Sequence, residues 1–284
     1  MTNAVEARWG KASAFHDPEI LAHFKPRPSD VLITTAPKAG TTWMQQILHQ
    51  LRRGGDPDFF SIDAVVPWLE KPRRDKTWQQ RLADYEQIED PRVFKTHCTF
   101  SQTPGFGEVK IVMTSRDPRD CCVSFYHHIM DMTDEALALS GWQRPASFDA
   151  YFEEWMDFAS WYRNVESWWP YKDHESVLWL RYEDMKRDFA AALRQILAFL
   201  GWQFDDGQFQ RAMEYSSFAW MKQHSDKFAR QLGSERPIFK PGGFIRKGVV
   251  GDHQGKLSPV QAQRIMDKAA STLPDDCLKF VMNY

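Results

Sequence analysis

Four short stretches of this 284-residue chain carry side chains suited to holding and processing an anion. The first is Ala36-Pro37-Lys38-Ala39-Gly40-Thr41-Thr42-Trp43, where Pro37 sharpens a turn and Gly40 lets backbone approach a ligand closely. If a helix starts at Thr41 or Thr42, its free N–H groups and dipole form an anion site to which Lys38 adds a full charge. The second is Lys95-Thr96-His97, in which the lysine disfavours a second cation nearby and so keeps His97 neutral and competent as a base. The third pairs Arg116 with Ser124 two helical turns later, a spacing that lets both grip one phosphate. The fourth, Phe244-Ile245-Arg246-Lys247-Gly248, sets two cations beside a glycine. Each stretch alone also has a plain structural interpretation: an ordinary turn, a core histidine, a surface charge cluster, a solvated loop. Together, one base and three separated cation clusters fit a nucleotide with phosphate groups at two places.

Elements that can position these residues are visible around them. Val31–Thr35, Arg92–Thr96, Lys110–Thr114 and Val177–Leu180 are short runs apolar on both faces, as expected of buried parallel strands. Trp43, Met44, Ile47, Leu48 and Leu51 recur at helical spacing, as do Phe148, Tyr151, Phe152, Trp155, Met156 and Ala159. Leu193, Ile196, Leu197 and Leu200 make another stripe, closed by Gly201. The alternation predicts a single α/β domain over residues 1–284, with a central, mainly parallel sheet flanked by helices. Residues 70–91 and 131–147 are polar and are expected as surface loops or short helices. Residues 222–247 hold Lys222, Lys227, Arg230, Arg236, Lys240, Arg246 and Lys247 against Asp226 and Glu235, a local net of +5, with Pro237, Pro241, Gly242 and Gly243 discouraging regular structure. That segment is expected as a basic lid.

Composition narrows the function classes. Lys and Arg number 36 against 38 Asp and Glu, a net of −2, which argues against a protein that coats nucleic acid or an anionic membrane. At 14% aromatic and 43% hydrophobic, the chain has the material for a sizeable core. The first ten residues lack an apolar signal region, no apolar run is long enough to span a bilayer, and the four cysteines form no CxxC pair. A reduced, cytoplasmic enzyme without a transmembrane segment is the expectation. A Walker A loop places its lysine after the second glycine. Here Lys38 precedes Gly40 and the upstream glycine is missing, so the turn is a relative of the P-loop and not an ATPase site.

Taken in order, the motifs resemble those of the cytosolic-type sulfotransferases, over about residues 26–260. The family's Y-P-K-S-G-T-T-W stands here as Ala36 to Trp43, its K-T-H as Lys95-Thr96-His97, and its R-x-x-x-D-x-x-x-S as Arg116, Asp120 and Ser124. Its Y-E-D-M-K stands as Tyr182 to Lys186, and its R-K-G-x-x-G-D as Arg246 to Asp252. The resemblance implies transfer of a sulfuryl group from 3′-phosphoadenosine 5′-phosphosulfate (PAPS) to a hydroxyl or amine, leaving PAP, with no metal. It implies that Lys38, Ala39, Gly40, Thr41 and Thr42 bind the phosphosulfate and that Trp43 stacks on adenine near Tyr182, Ser216, Phe218 and Met221. Arg116, Ser124, Arg246, Lys247 and Gly248 would hold the 3′-phosphate. His97 would be the general base, with Lys38 and Lys95 stabilising charge in an in-line transfer.

The chain departs from the family pattern in three places, the phosphosulfate loop, the residue after Gly251-Asp252 and the dimer motif. Ala39 replaces a serine, and His253 stands where a tryptophan is usual. The family's dimer motif K-x-x-x-T-V-x-x-x-E falls on Gln254, Ser258, Pro259 and Gln263, so oligomeric state stays open. Val66-Pro67-Trp68-Leu69-Glu70 resembles the segment beside the family's acceptor pocket, and Phe125, His128 and Trp142 are further lining candidates. An aromatic wall favours a phenol, a hydroxylated ring system or a lipid-like alcohol. A glycolipid acceptor is the alternative within the family; a P-loop kinase and a non-catalytic nucleotide-binding protein are the alternatives outside it.

Overall fold

In the computed structural model, which describes residues 4–229 and 237–282, four strands form one parallel sheet: β1 (Val31–Thr35), β2 (Val93–Thr96), β3 (Lys110–Ser115) and β4 (Val177–Arg181). Their spatial order is β2-β1-β3-β4. The chain leaves β1 for β2 on one side and then crosses to β3 on the other. The β1/β3 boundary is therefore a topological switch point, where the strand ends open a crevice. Register aligns those ends: Thr34 faces Thr96 on one side, and Thr35 faces Thr114 on the other. The turn after β1, His97 after β2 and Arg116 after β3 consequently emerge at the same edge.

Both faces of the sheet are covered, which is why the strands read as continuous apolar runs. Leu32, Phe94, Ile111 and Met113 pack into one core with Trp161 and Trp168, both fully buried. Val31, Ile33, Val93 and Val112 enter the other, beneath the helix Thr41–Arg52 and the helix Phe189–Leu200. Gly201 ends the latter with φ +68, the left-handed cap that a residue without Cβ takes at little cost. The aromatic stripe beginning at Phe148 forms a helix over Phe148–Phe158. Among the described residues no helix is long and apolar enough to cross a membrane.

Two segments differ from their polar appearance. Within 70–91, the helix Trp78–Glu86 buries Arg81 and Tyr85, and Glu70 is buried before it. Arg81 Nη2 donates to Tyr85 Oη at 2.8 Å and Tyr85 Oη donates to the Leu69 carbonyl at 2.9 Å, so the phenol is satisfied internally, while Arg81 Nε and Glu70 Oε2 are buried without a partner. The 222–247 segment starts in regular structure, because Ser217 caps a helix Phe218–Gln223 and a second helix, Ser225–Ala229, follows. Arg230, Glu235 and Arg236 lie outside the described residues.

At the sheet edge opposite the crevice, Arg92 and Asp30 form a fully buried bidentate pair, Nε to Oδ1 at 2.8 Å and Nη2 to Oδ2 at 2.6 Å. Arg92 Nη2 also donates to the Lys25 carbonyl at 2.9 Å, joining the N-terminal segment to β2. Arg92→Met leaves the Asp30 charge stranded and is expected to lower stability by about 3–5 kcal/mol in urea unfolding. An unchanged urea midpoint would contradict this account of the pair.

Candidate active site

The first station is built by backbone. After β1 the chain turns through Lys38 at φ +69 and Gly40 at φ +101, and Gly40 is the N-cap of the helix Thr41–Arg52. No side chain caps that helix, so its first-turn N–H groups face the crevice. Thr41 and Thr42 thus occupy the first turn. Thr114 Oγ1 on β3 donates to the Ala39 carbonyl at 2.8 Å, and the Thr35 and Thr41 hydroxyls meet at 2.5 Å, holding the turn against the sheet. A Cβ at Gly40 would stand 3.0 Å from the Tyr182 ring, in a backbone conformation that L-residues rarely adopt.

Charge is concentrated beside this turn. Burial, with Lys95 and Arg116 adding to it, pulls the Lys38 ammonium down to about 8. Lys95 is pulled to about 8 as well, chiefly by burial. Lys38 Nζ meets His128 Nδ1 at 3.2 Å, and Lys95 Nζ lies 4.2 Å from the Trp68 ring centre, with the Asp63 and Glu70 charges partly offsetting its burial. His128 is pushed well below its usual range by burial and by these lysines, so its neutral ring accepts from the Lys38 ammonium. Burial and Lys95 push His97 down to about 3. His97 Nδ1 lies 2.8 Å from the Thr35 carbonyl, which can only accept, so the proton sits on Nδ1 and the lone pair on Nε2. A neutral imidazole with a fixed tautomer among cations can take a proton.

The second station gathers around β3. Arg116 is almost fully buried, with its guanidinium 4.5 Å from the Tyr182 ring centre; Nη2 donates to Asp120 at 3.0 Å and to the Val249 carbonyl at 2.7 Å. Its Nε is buried without a partner. Asp120 is the hub: it accepts from His253 Nδ1 at 2.8 Å and from the backbone N–H groups of Gly251 and His253. Arg246 and Lys247 both pair with Asp252. A Cβ on Gly248 would lie 2.6 Å from the Phe218 ring, so this close approach requires glycine. Trp43 Nε1 donates to the Ser216 carbonyl at 2.8 Å, while Ser216 Oγ is buried without a partner.

One cleft of about 1400 Å³ joins the stations. It is lined by Lys38, Gly40, Thr41, Thr42, Trp43, Lys95 and His97, and further along by Arg116, Ser124, Tyr182, Phe218, Met221, Arg246, Lys247 and Gly248. Ala39 and Ser216 are buried behind the wall. Beyond His97 the cleft continues between rings: Trp68 lies edge-on to His97 at 5.0 Å, Phe15 stacks on Trp68 at 5.9 Å and meets Trp142 at 4.8 Å, and Phe125 meets Trp142 at 5.5 Å. Trp68, Phe125, His128 and Trp142 therefore gather as the sequence suggested. Phe244, from the fourth stretch, joins them, as do Phe15 and Phe239, which have no local signal in the sequence.

A sulfotransferase domain family matches residues 28–274. The chain belongs to the sulfotransferase family. Bovine sulfotransferase 1E1 is 32% identical over 276 residues, covering 94% of this chain and 90% of that protein. Rat sulfotransferase 1A1 is 30% identical over 272 residues, covering 92% and 90%. Among solved structures, mouse sulfotransferase SULT7A1 complexed with PAP superposes with a TM-score of 0.74 at 23% identity, covering 95% of this chain and 94% of that one. This sulfotransferase therefore shares the fold in which PAP is bound there.

Asp120 supplies a test of the second station. Burial pushes its carboxyl up, but the His253 hydrogen bond, the Arg116 charge and two backbone N–H groups outweigh it and hold the group at about 2, below its ordinary 3.8. A depressed folded value stabilises the enzyme above the unfolded pKa, and that contribution is lost as pH falls from about 4 to 2. Asp120→Asn is expected to cost on the order of 2 kcal/mol at pH 7 in urea unfolding, a gap that narrows as pH falls through this window. Equal stability of variant and wild type at pH 7 would contradict the hub.

Proposed function

We propose that this sulfotransferase moves a sulfuryl group from PAPS to the hydroxyl, or amine, of a small aromatic or hydrophobic acceptor, with His97 as general base. The observation that carries this is the His97 ring, neutral and presenting Nε2, set between Lys38 and Lys95 where a cationic cleft meets an aromatic one. PAPS supplies the sulfuryl group on a phosphate that leaves readily, and PAP remains as product.

The residues present suit that molecule. The first-turn N–H groups and Lys38 face the place for a 5′-phosphosulfate. Arg116, with an unpartnered buried Nε, together with Ser124, Arg246, Lys247 and Gly248 suits a 3′-phosphate. Trp43, Tyr182, Phe218 and Met221 line the space between for adenine, with the orphan Ser216 hydroxyl behind. Binding an anion restores full protonation of Lys38 and Lys95. Both then stabilise the charge that grows on the leaving oxygen, the main catalytic term expected for a loose, in-line transfer. His97 Nε2 takes the acceptor proton as the new S–O bond forms. The ring-lined continuation of the cleft supports a phenol, a hydroxylated ring system or a lipid-like alcohol over a bare sugar.

Assay with PAPS and a panel of phenols, alcohols and glycolipids, with ATP as control, is expected to give sulfated phenols or hydrophobic alcohols. Phosphorylated product with ATP alone would overturn the assignment. His97→Ala should lower kcat by about 10²–10⁴-fold while the PAP Kd stays within threefold; near-full kcat would exclude the base. Lys38 and Lys95 each lose their proton around pH 8 in the free enzyme, and the anion binds the protonated forms. The PAP Kd should therefore be flat below pH 7.5 and rise at least about tenfold by pH 9.5. A flat profile across this range would contradict the buried ammoniums.

A further inference from the structure

At the acceptor end of the cleft, behind the His97 backbone, three side chains of ligating type stand together and have no part in sulfuryl transfer. One ring nitrogen of His16, one carboxylate oxygen of Glu70 and Cys98 Sγ lie within 4.8 Å of one another. Glu70 is 2% exposed and Cys98 3% exposed. Glu70 Oε1 accepts from the His97 backbone N–H at 3.0 Å, while Oε2 is buried without a partner. A buried carboxylate oxygen with no stronger donor beside it than the neighbouring Cys98 thiol is a costly arrangement that an ion would relieve. His16 Nε2 lies 2.7 Å from the Trp9 carbonyl, which fixes the proton on Nε2 and leaves Nδ1 with the lone pair. Metal-ligating histidines are oriented in this way by an outer carbonyl.

We infer that His16, Glu70 and Cys98 form a binding site for a zinc-class divalent cation on the acceptor wall of the cleft. The mixed nitrogen, oxygen and sulfur donor set suits zinc and excludes the oxygen-preferring magnesium and calcium. All three side chains line the cleft, which supplies an entry path and a fourth position for water. Lys71 and Lys95 stand near and repel a dication. The Cys98 thiolate and the Glu70 carboxylate bring the occupied site to neutrality, so exchanging the thiol proton for the dication raises the charge of the cleft by one. Binding displaces the Cys98 proton to solvent and forms the metal–sulfur bond without oxidation or reduction. Occupancy also ties down the carboxylate that holds the His97 backbone. The sequence points to no metal in the transfer step, and this site lies outside that step.

The test uses the full chain stripped of metal by chelator and then titrated with Co²⁺, and with Zn²⁺ in competition with a chromogenic chelator. The expected result is one ion per chain and, with Co²⁺, a thiolate-to-cobalt charge-transfer band in the near ultraviolet. Cys98→Ser should abolish the band, Cys277→Ser should leave it, and His16→Phe should weaken Zn²⁺ binding at least about tenfold. Thermal unfolding of each variant reports whether it folds, and His16→Phe decides the matter alone if Cys98→Ser does not. Absence of the band in wild type, its persistence in folded Cys98→Ser, or unchanged Zn²⁺ affinity in folded His16→Phe would each overturn the proposal. None of these readouts depends on the acceptor or on PAPS.

Discussion

Crowding of buried positive charge at one edge of a parallel sheet is the constraint on which the rest of this structure depends. Lys38, Lys95 and Arg116 emerge where β1, β2 and β3 end, because register sets Thr34 level with Thr96 and Thr35 level with Thr114. Desolvated ammoniums are unfavourable, and both lysines respond by holding their protons less tightly, Lys95 doing so although the Asp63 and Glu70 charges partly offset its burial. Burial, reinforced by the same crowding, keeps His97 and His128 neutral. A polyanion entering the cleft relieves the repulsion, so the arrangement that is costly when empty becomes a source of affinity when filled. His97 and the cations are thus one electrostatic system.

The two cation stations are supported in different ways. At the first, a left-handed lysine and a left-handed glycine aim helix N–H groups outward, and threonine hydroxyls pin the turn to the strands. At the second, the support is a carboxylate: Asp120 holds Arg116 on one side and the Gly251–His253 backbone on the other. That link fastens the segment carrying Arg246, Lys247 and Gly248 to the helix that begins at Pro118. His253, a departure from the family pattern, completes the link through Nδ1. Hydrogen bonding to a carboxylate is a role that imidazole fills well, and the substitution is accommodated without loss of the hub.

Much of this was legible in the residues themselves. The strands announced themselves through continuous apolar runs, and the only shifts were at their ends, where Arg92 leaves β2 to pair with Asp30 and Ser115 and Arg181 extend β3 and β4. Motifs whose partners are close in sequence, such as the turn at 36–43 and Lys95-Thr96-His97, were readable because their chemistry is local. What stayed hidden depends on long-range contact. Phe15 reaches Trp68 and Trp142 only after the N-terminal segment folds over the cleft. Asp120 stood in a motif without a role, because Gly251 and His253, which donate to it, lie more than 130 residues along the chain. The burial of Glu70, Arg81 and Tyr85 was likewise masked by a polar local composition.

The central claim is that the cleft is built for a nucleotide phosphorylated at two separate places. It is tested most directly by calorimetric titration of the protein with PAP and with 5′-AMP under the same conditions. Charge-assisted hydrogen bonds to the 3′-phosphate, at about 1.5–3 kcal/mol each, predict that PAP binds at least about a hundredfold tighter than 5′-AMP. Equal affinities would mean that Arg116, Arg246 and Lys247 do not form a phosphate site, and would contradict the account.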